Sequence, residues 1–215
     1  VAEGLGWDEE RVRVVQVTTG GGFGGKEEYP SIISGQVAFA AVKTGKPVKL
    51  IFDRTEDIAS TTKRHPSIIR HRTAVDEGGR VIAMDIEIKF DGGAYAGLSD
   101  VVLQRGMFSA VGVYNIPNLR VRGRAYATNN VPTGAMRGFG APQAFFAVEM
   151  QMNKVAERLG VDPVQFKLKH AFHKGDTTAT GGILRQDVKI EEMVKKALKM
   201  SDYERKTELF RGDSG

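Results

Sequence analysis

The chain has 215 residues, 41% hydrophobic and 27% charged, enough apolar content for a buried core and ordinary for a globular protein. Its 31 Lys and Arg interleave with 26 Asp and Glu, so the net charge of +5 forms no tail, and nucleic acid is excluded as the default partner. There is no cysteine, so neither disulfides nor thiolate ligands for an iron-sulfur cluster come from this chain, and no apolar run approaches the roughly 20 residues that span a bilayer. No membrane contact is expected. The first residue is Val1 rather than Met, and residues 1–5 lack the charged-then-apolar build of a signal peptide, so a fragment or processed piece of a cytoplasmic protein is expected.

Residues 11–18 (RVRVVQVT) are β-branched and alternating, predicting a strand that runs straight into the glycine cluster at 20–25. Pro30 suits the first turn of a helix, and Ile32, Ile33, Val37, Ala40 and Ala41 give it an apolar stripe until Thr44 and Gly45 end it. Residues 48–52 read as a short buried strand, and residues 68–75 and 81–90 as two strands joined through Asp76, Glu77, Gly78 and Gly79 in a hairpin. Met84, Ile86, Ile88 and Phe90 share one face of the second strand and Asp85, Glu87 and Lys89 the other, so this sheet is expected to be solvated on one side. A helix over 101–113, a strand over 119–127 and a strongly amphipathic helix over 141–159 follow, the last ending at Gly160. Asp162 and Pro163 cap a further helix, 174–182 is a loop rich in Gly and Thr, and a last helical stretch runs through Lys199. A single crossover at the front, then a long hairpin and late helices, predicts an α+β fold with a mixed or antiparallel sheet and packed helices.

The loop Gly20-Gly21-Gly22-Phe23-Gly24-Gly25-Lys26 matches two phosphate-binding patterns by letter. As G-x-x-x-x-G-K it is followed by Glu27, where magnesium chemistry needs a hydroxyl and a carboxylate would repel phosphate. As G-x-G-x-x-G, with Asp53 imitating the ribose-binding acid, it conflicts with Pro30, which delays the helix, and with the hairpins that follow. A nucleotide-binding module using Gly20 to Lys26 stands as the alternative.

A second loop, Met136-Arg137-Gly138-Phe139-Gly140-Ala141-Pro142-Gln143, again sets a phenylalanine between glycines and opens on a helix. Glycines let backbone N–H groups approach a ligand and helix N-termini favour anions, so the pair suits an anionic, partly aromatic cofactor with Phe23 and Phe139 as flat apolar faces. The plainer reading makes both loops tight turns whose phenylalanines plug a core. A third treats the chain as an assembly module whose loops only shape the fold. His65, His71, His170 and His173 have no metal-site spacing and are read as making surface or capping hydrogen bonds, His65 marking a turn before Pro66.

Taken in order, GGGFGGKE at 20–27, Arg64-His65-Pro66, Asn115-Ile116-Pro117-Asn118, AMRGFGAPQ at 135–143 and the helix 149–160 with Val161-Asp162-Pro163 resemble the molybdenum hydroxylases, the xanthine dehydrogenase and aldehyde oxidase family. The resemblance covers about 11–198 and implies a molybdenum-cofactor-binding domain type of fold, with residues 1–175 as the molybdopterin-binding domain and 176–215 as a loop and helical extension. It implies a molybdenum-molybdopterin cofactor that hydroxylates a substrate carbon with oxygen from water, and electrons that leave through iron-sulfur clusters to FAD on other chains or domains.

The same resemblance assigns Gly22, Phe23, Gly24 and Arg137 to the cofactor and Glu27, Arg105 and Phe139 to a small heterocyclic, purine-like substrate, with no residue ligating the metal directly. An aldehyde-oxidising member of the family is the alternative. The family's general-base glutamate lies downstream of the second loop and is expected outside this chain. A glutamine-bearing segment that precedes the first loop in the family is likewise expected outside this chain. The isolated chain is therefore expected to be inactive, with little or no molybdenum, and its partners to be the rest of the molybdopterin subunit and the iron-sulfur and flavin subunits or domains.

Overall fold

The computed structural model describes residues 1–210. Its helices are α1 (Ala2–Leu5), α2 (Tyr29–Thr44), α3 (Arg54–Ser60), α4 (Ser99–Phe108), α5 (Ala141–Leu159), α6 (Pro163–Lys169), α7 (Ile190–Ser201) and α8 (Tyr203–Phe210), and its strands β1 (Ser67–Val75), β2 (Val81–Gly93) and β3 (Asn118–Ala127) form one sheet in the order β1-β2-β3. The fold is α+β. Along β2, Met84, Ile86, Ile88 and Phe90 are each at most 2% exposed while Asp85, Glu87 and Lys89 are half-buried, the period-two burial of a sheet with one packed face. The β1–β2 hairpin turns on Asp76, whose carboxylate accepts from the Arg80 backbone N–H at 2.8 Å and whose own N–H donates to the Arg80 carbonyl at 2.9 Å.

Two predicted strands do not form. Residues 13–19 and 48–53 carry no ladder, and Val14, Val15 and Val17 are 74%, 64% and 79% exposed. Alternation and β-branching favour extended backbone, as at Val12 with φ −117° and ψ 124°, but a strand also needs a neighbour for its N–H and C=O groups. The stripe expected on α2 is not buried either; Tyr29 is the residue of that helix that is. The final helix ends in α7 because Asp202 takes a left-handed conformation with φ 54°, after which α8 begins anew.

The chain divides into two compact units, one built from Val1–Arg70, Glu87–Ser109 and Val121–Ala144, the other from His71–Ile86, Ala110–Arg120 and Phe145 onward. Within the first, the carboxylate of Asp91 gathers Thr128 Oγ1, the Gly93 N–H and the Asn130 side-chain amide, while its backbone N–H donates to the Pro66 carbonyl at 3.0 Å. These bonds, chiefly that from Thr128, hold the Asp91 carboxyl below its ordinary range. In the same unit Asp53 caps α3 reciprocally: its Oδ1 accepts from Glu56 N–H at 2.8 Å and Glu56 Oε2 accepts from Asp53 N–H at 2.9 Å. A carboxylate so engaged serves the helix rather than a ribose.

In the second unit, the half-buried Glu149 ties α5 to its surroundings: Tyr114 Oη donates to Glu149 Oε1 at 2.7 Å and Lys167 Nζ pairs with Oε2 at 2.6 Å. His170, 6% exposed, donates from Nδ1 to the Phe166 carbonyl at 2.7 Å and accepts from the Val81 N–H at Nε2, 2.9 Å away, which fixes the neutral tautomer. Burial accordingly pushes its pKa down. His170 is thus an internal clip, where a surface or capping role was expected.

Candidate functional site

Both glycine–phenylalanine loops lie in the first unit, and their backbones meet. Gly24 and Met136 form an antiparallel bridge, Gly25 N–H donates to the Ala135 carbonyl at 2.6 Å, and Arg137 N–H donates to the Phe23 carbonyl at 3.0 Å. The approach requires glycine. A Cβ on Gly24 would fall 2.4 Å from Met136 Cα and 2.5 Å from the Ala135 carbonyl oxygen, far inside contact distance. The Arg137 guanidinium lies over the Phe23 ring, 5.9 Å from its centroid.

The loops share a second feature. Phe23 at φ 49° and Phe139 at φ 45° are both left-handed, and apart from Asp202 they are the only non-glycine residues among those described that are. An L-residue pays roughly 1–2 kcal/mol there, and such conformations persist where surrounding structure imposes them, typically at ligand sites. The Phe23 ring is 73% exposed, so packing within this chain does not account for its conformation. Phe139 is half-buried.

The second loop is held from several sides. Gly140 sits so close to α4 that a Cβ would meet the Val102 carbonyl oxygen at 2.4 Å and Gly106 Cα at 3.2 Å. Arg64 Nη2 donates to the Arg137 carbonyl at 2.9 Å, and Gln143 Nε2 donates to the His65 carbonyl at 3.1 Å. His65, 2% exposed, shares a 2.9 Å hydrogen bond between Nε2 and Ser99 Oγ at the start of α4, and its ring stacks 5.5 Å from that of Phe90. Burial lowers the His65 pKa despite the opposing field of Asp91.

Of the residues singled out in the sequence, Phe23, Gly22 and Gly24 lie in the first loop and Arg137 and Phe139 in the second. Arg105 is exposed, one residue before the buried Gly106 that touches Gly140. Glu27 is exposed three residues beyond the bridging Gly24, and Lys26 N–H donates to its carboxylate at 3.1 Å. All seven therefore belong to one unit. Its neighbour Glu28 went unnoticed in the sequence: its two carboxylate oxygens lie 2.3 Å from where Cβ atoms would stand on Gly97 and Gly134. Ser99 and the Gly106–Gly140 contact were also missed, although glycine inside a predicted helix, about 1 kcal/mol worse than alanine, was a signal that something approaches closely.

The loops fit a close-lying anionic cofactor in one specific respect. Gly22 has no left-handed φ and a Cβ there would meet nothing within 4 Å, so the fold itself does not demand glycine; the space in front of its backbone is open. Among the described residues no group of three or more His, Cys, Asp or Glu side chains could hold a metal ion. No helix among them is long and apolar enough to cross a membrane.

Comparison with known proteins shows the family. The family model described as molybdopterin cofactor-binding domain matches residues 1–171. The chain is 39% identical over 197 residues to the nicotinate dehydrogenase large molybdopterin subunit of Eubacterium barkeri, covering 92% of this chain and 46% of that one. It is 38% identical over 178 residues to the xanthine dehydrogenase/oxidase of Felis catus, covering 83% of this chain and 13% of that one. The solved aldehyde oxidoreductase from Desulfovibrio gigas superposes with a TM-score of 0.75 at 36% identity, over 84% of this chain and 20% of that one. The chain spans less than half the length of the curated relatives it matches. It belongs to the molybdopterin cofactor-binding domain family of the molybdenum hydroxylases.

Proposed function

We propose that this chain forms the part of a molybdenum hydroxylase in which two phenylalanine-bearing loops wall the molybdopterin site and present an N-heterocyclic, purine-like substrate to it. The observation that carries this is the backbone bridge between the loops, with Arg137 over Phe23 and open space before Gly22. The bound cofactor supplies the redox chemistry; the protein binds, orients and polarises. Backbone N–H groups around Gly22 and Gly24 would hold the anionic group, and Arg137 would add a fixed positive charge beside it.

Phe139 stacks on the flat ring. Glu27 would hydrogen-bond a ring N–H through its carboxylate, and Arg105 would oppose negative charge on the heterocycle. Two of the relatives are named for nicotinate and xanthine, both N-heterocycles, which favours this class over aldehydes. The aldehyde oxidoreductase relative keeps the aldehyde reading as the alternative. The general base and the iron-sulfur and FAD centres are assigned outside these residues, and residues 176–215 to an extension of the domain.

The substrate assignment is tested in the intact, cofactor-loaded enzyme with Arg105→Met. Hypoxanthine turnover should drop about 10²-fold in kcat/KM, with aldehyde turnover little changed. Unaltered hypoxanthine turnover would remove Arg105 from the site. A thermal shift of the chain with NAD or ATP would favour the nucleotide-binding alternative instead.

A further inference from the structure

We propose that Arg64, His65 and Gln143 are positioning residues: together they lock the second loop to α4, and so set the strained Phe139 segment and the turn bearing Arg105 as one rigid wall. The inference rests on the functional reading above but stands on separate contacts. The described hydrogen bonds of these three side chains go to backbone carbonyls or to Ser99, not to the other loop.

The geometry has three members. Arg64 sits before a buried histidine and uses its guanidinium on the carbonyl of Arg137, whose own N–H is committed to Phe23. That peptide segment is therefore gripped on both sides, by Arg64 through its carbonyl and by the first loop through its amide. Gln143, in the first turn of α5, reaches back to the His65 carbonyl, so the far end of the same loop is tied to the residue next to Arg64. Its other amide atom, Oε1, is buried without a partner, and so is His65 Nδ1.

His65 then carries the register onward. Its Nε2 bonds Ser99 Oγ in the first turn of α4, and Pro66 following it accepts the Asp91 N–H. Two turns along α4 the Gly106 backbone seats Gly140. The second loop thus touches α4 directly at Gly140 and indirectly through His65 and Ser99, and a closed circuit of this kind fixes an angle as well as a distance. A displacement of about 1 Å at a substrate-facing group suffices to lower turnover by roughly 10²-fold, so such a circuit acts on rate through geometry.

Arg64 is exposed, so its variants should fold, and it carries the test. In the intact cofactor-loaded enzyme, Arg64→Met should raise hydrogen exchange at the Arg137 amide about fivefold or more, with exchange along β2 unchanged. The same variant should lower kcat about tenfold with KM within about twofold, and Arg64→Lys should recover most of both, because one donor remains. Gln143→Met should loosen the same amide. Unchanged exchange at Arg137 in Arg64→Met overturns the positioning role, as does loosened exchange with unaltered kcat. Exchange is read without turnover, so a wild-type enzyme that binds no molybdenum would sink the functional reading while leaving the clamp to be judged by its own amide.

Discussion

The two glycine–phenylalanine loops repeat one device and differ in what holds them. Around Phe139 the backbone is seated on α4 through Gly140, clamped by Arg64 and Gln143, and continues directly into α5. Around Phe23 the described backbone bonds run to the second loop itself, the ring is exposed, and α2 starts only at Tyr29. One loop is part of the scaffold and the other leans on it. A left-handed phenylalanine is thus affordable in two ways, by enclosure at Phe139 and by a backbone bridge at Phe23.

Substitutions that break this difference should rank accordingly. Gly140→Ala, at a position with φ 83°, puts a methyl against the Val102 carbonyl oxygen and Gly106, and should destabilise the protein by about 3 kcal/mol or more in denaturant unfolding. Gly24→Ala creates an equally close clash, but the first loop can swing away, so global stability should fall by only about 1 kcal/mol while the bridge is lost. Equal losses at the two glycines would contradict the asymmetry.

Acid should act on the scaffolded loop through His65. Its folded pKa is depressed from 6.5, so the unfolded chain binds the proton more tightly; the stability conferred is present above 6.5 and lost as pH falls through 6.5 toward the folded value. His71, pushed by burial down to about 4, and His170 add slopes of the same sign. Unfolding midpoints measured from pH 7.5 to 5 should therefore decline, and His65→Asn should flatten that decline in part.

The smallest effect has the opposite sign. Phe23→Gly removes an exposed ring from a left-handed position and should raise stability by about 0.5–1 kcal/mol, whereas Phe139→Gly gives up half-buried contacts and should gain nothing. A loss of stability in Phe23→Gly would mean that its ring packs within this chain.

Much of this was legible from residue order. Period-two burial in β2, the α5 boundaries 141–159 and the α6 cap at Asp162 all follow from local chemistry, and so does the pairing of two loops with identical punctuation. What escaped was non-local. Residues 11–18 have every intrinsic mark of a strand, yet strand formation depends on a partner that pattern cannot supply. Asp53 looked like a ribose-binding acid because its spacing suited one; only the return bond from Glu56 reveals a cap. Ser99 and Gly106 are ordinary letters in a helix until His65 and Gly140 are set against them.

The joined loops are the claim on which the rest depends, and NMR correlation through the hydrogen bonds themselves examines it directly. In the deuterated protein, couplings should connect the Arg137 amide nitrogen with the Phe23 carbonyl carbon and the Gly25 amide nitrogen with the Ala135 carbonyl carbon. Absence of both couplings, with these amides exchanging as fast as unstructured ones, would contradict the account.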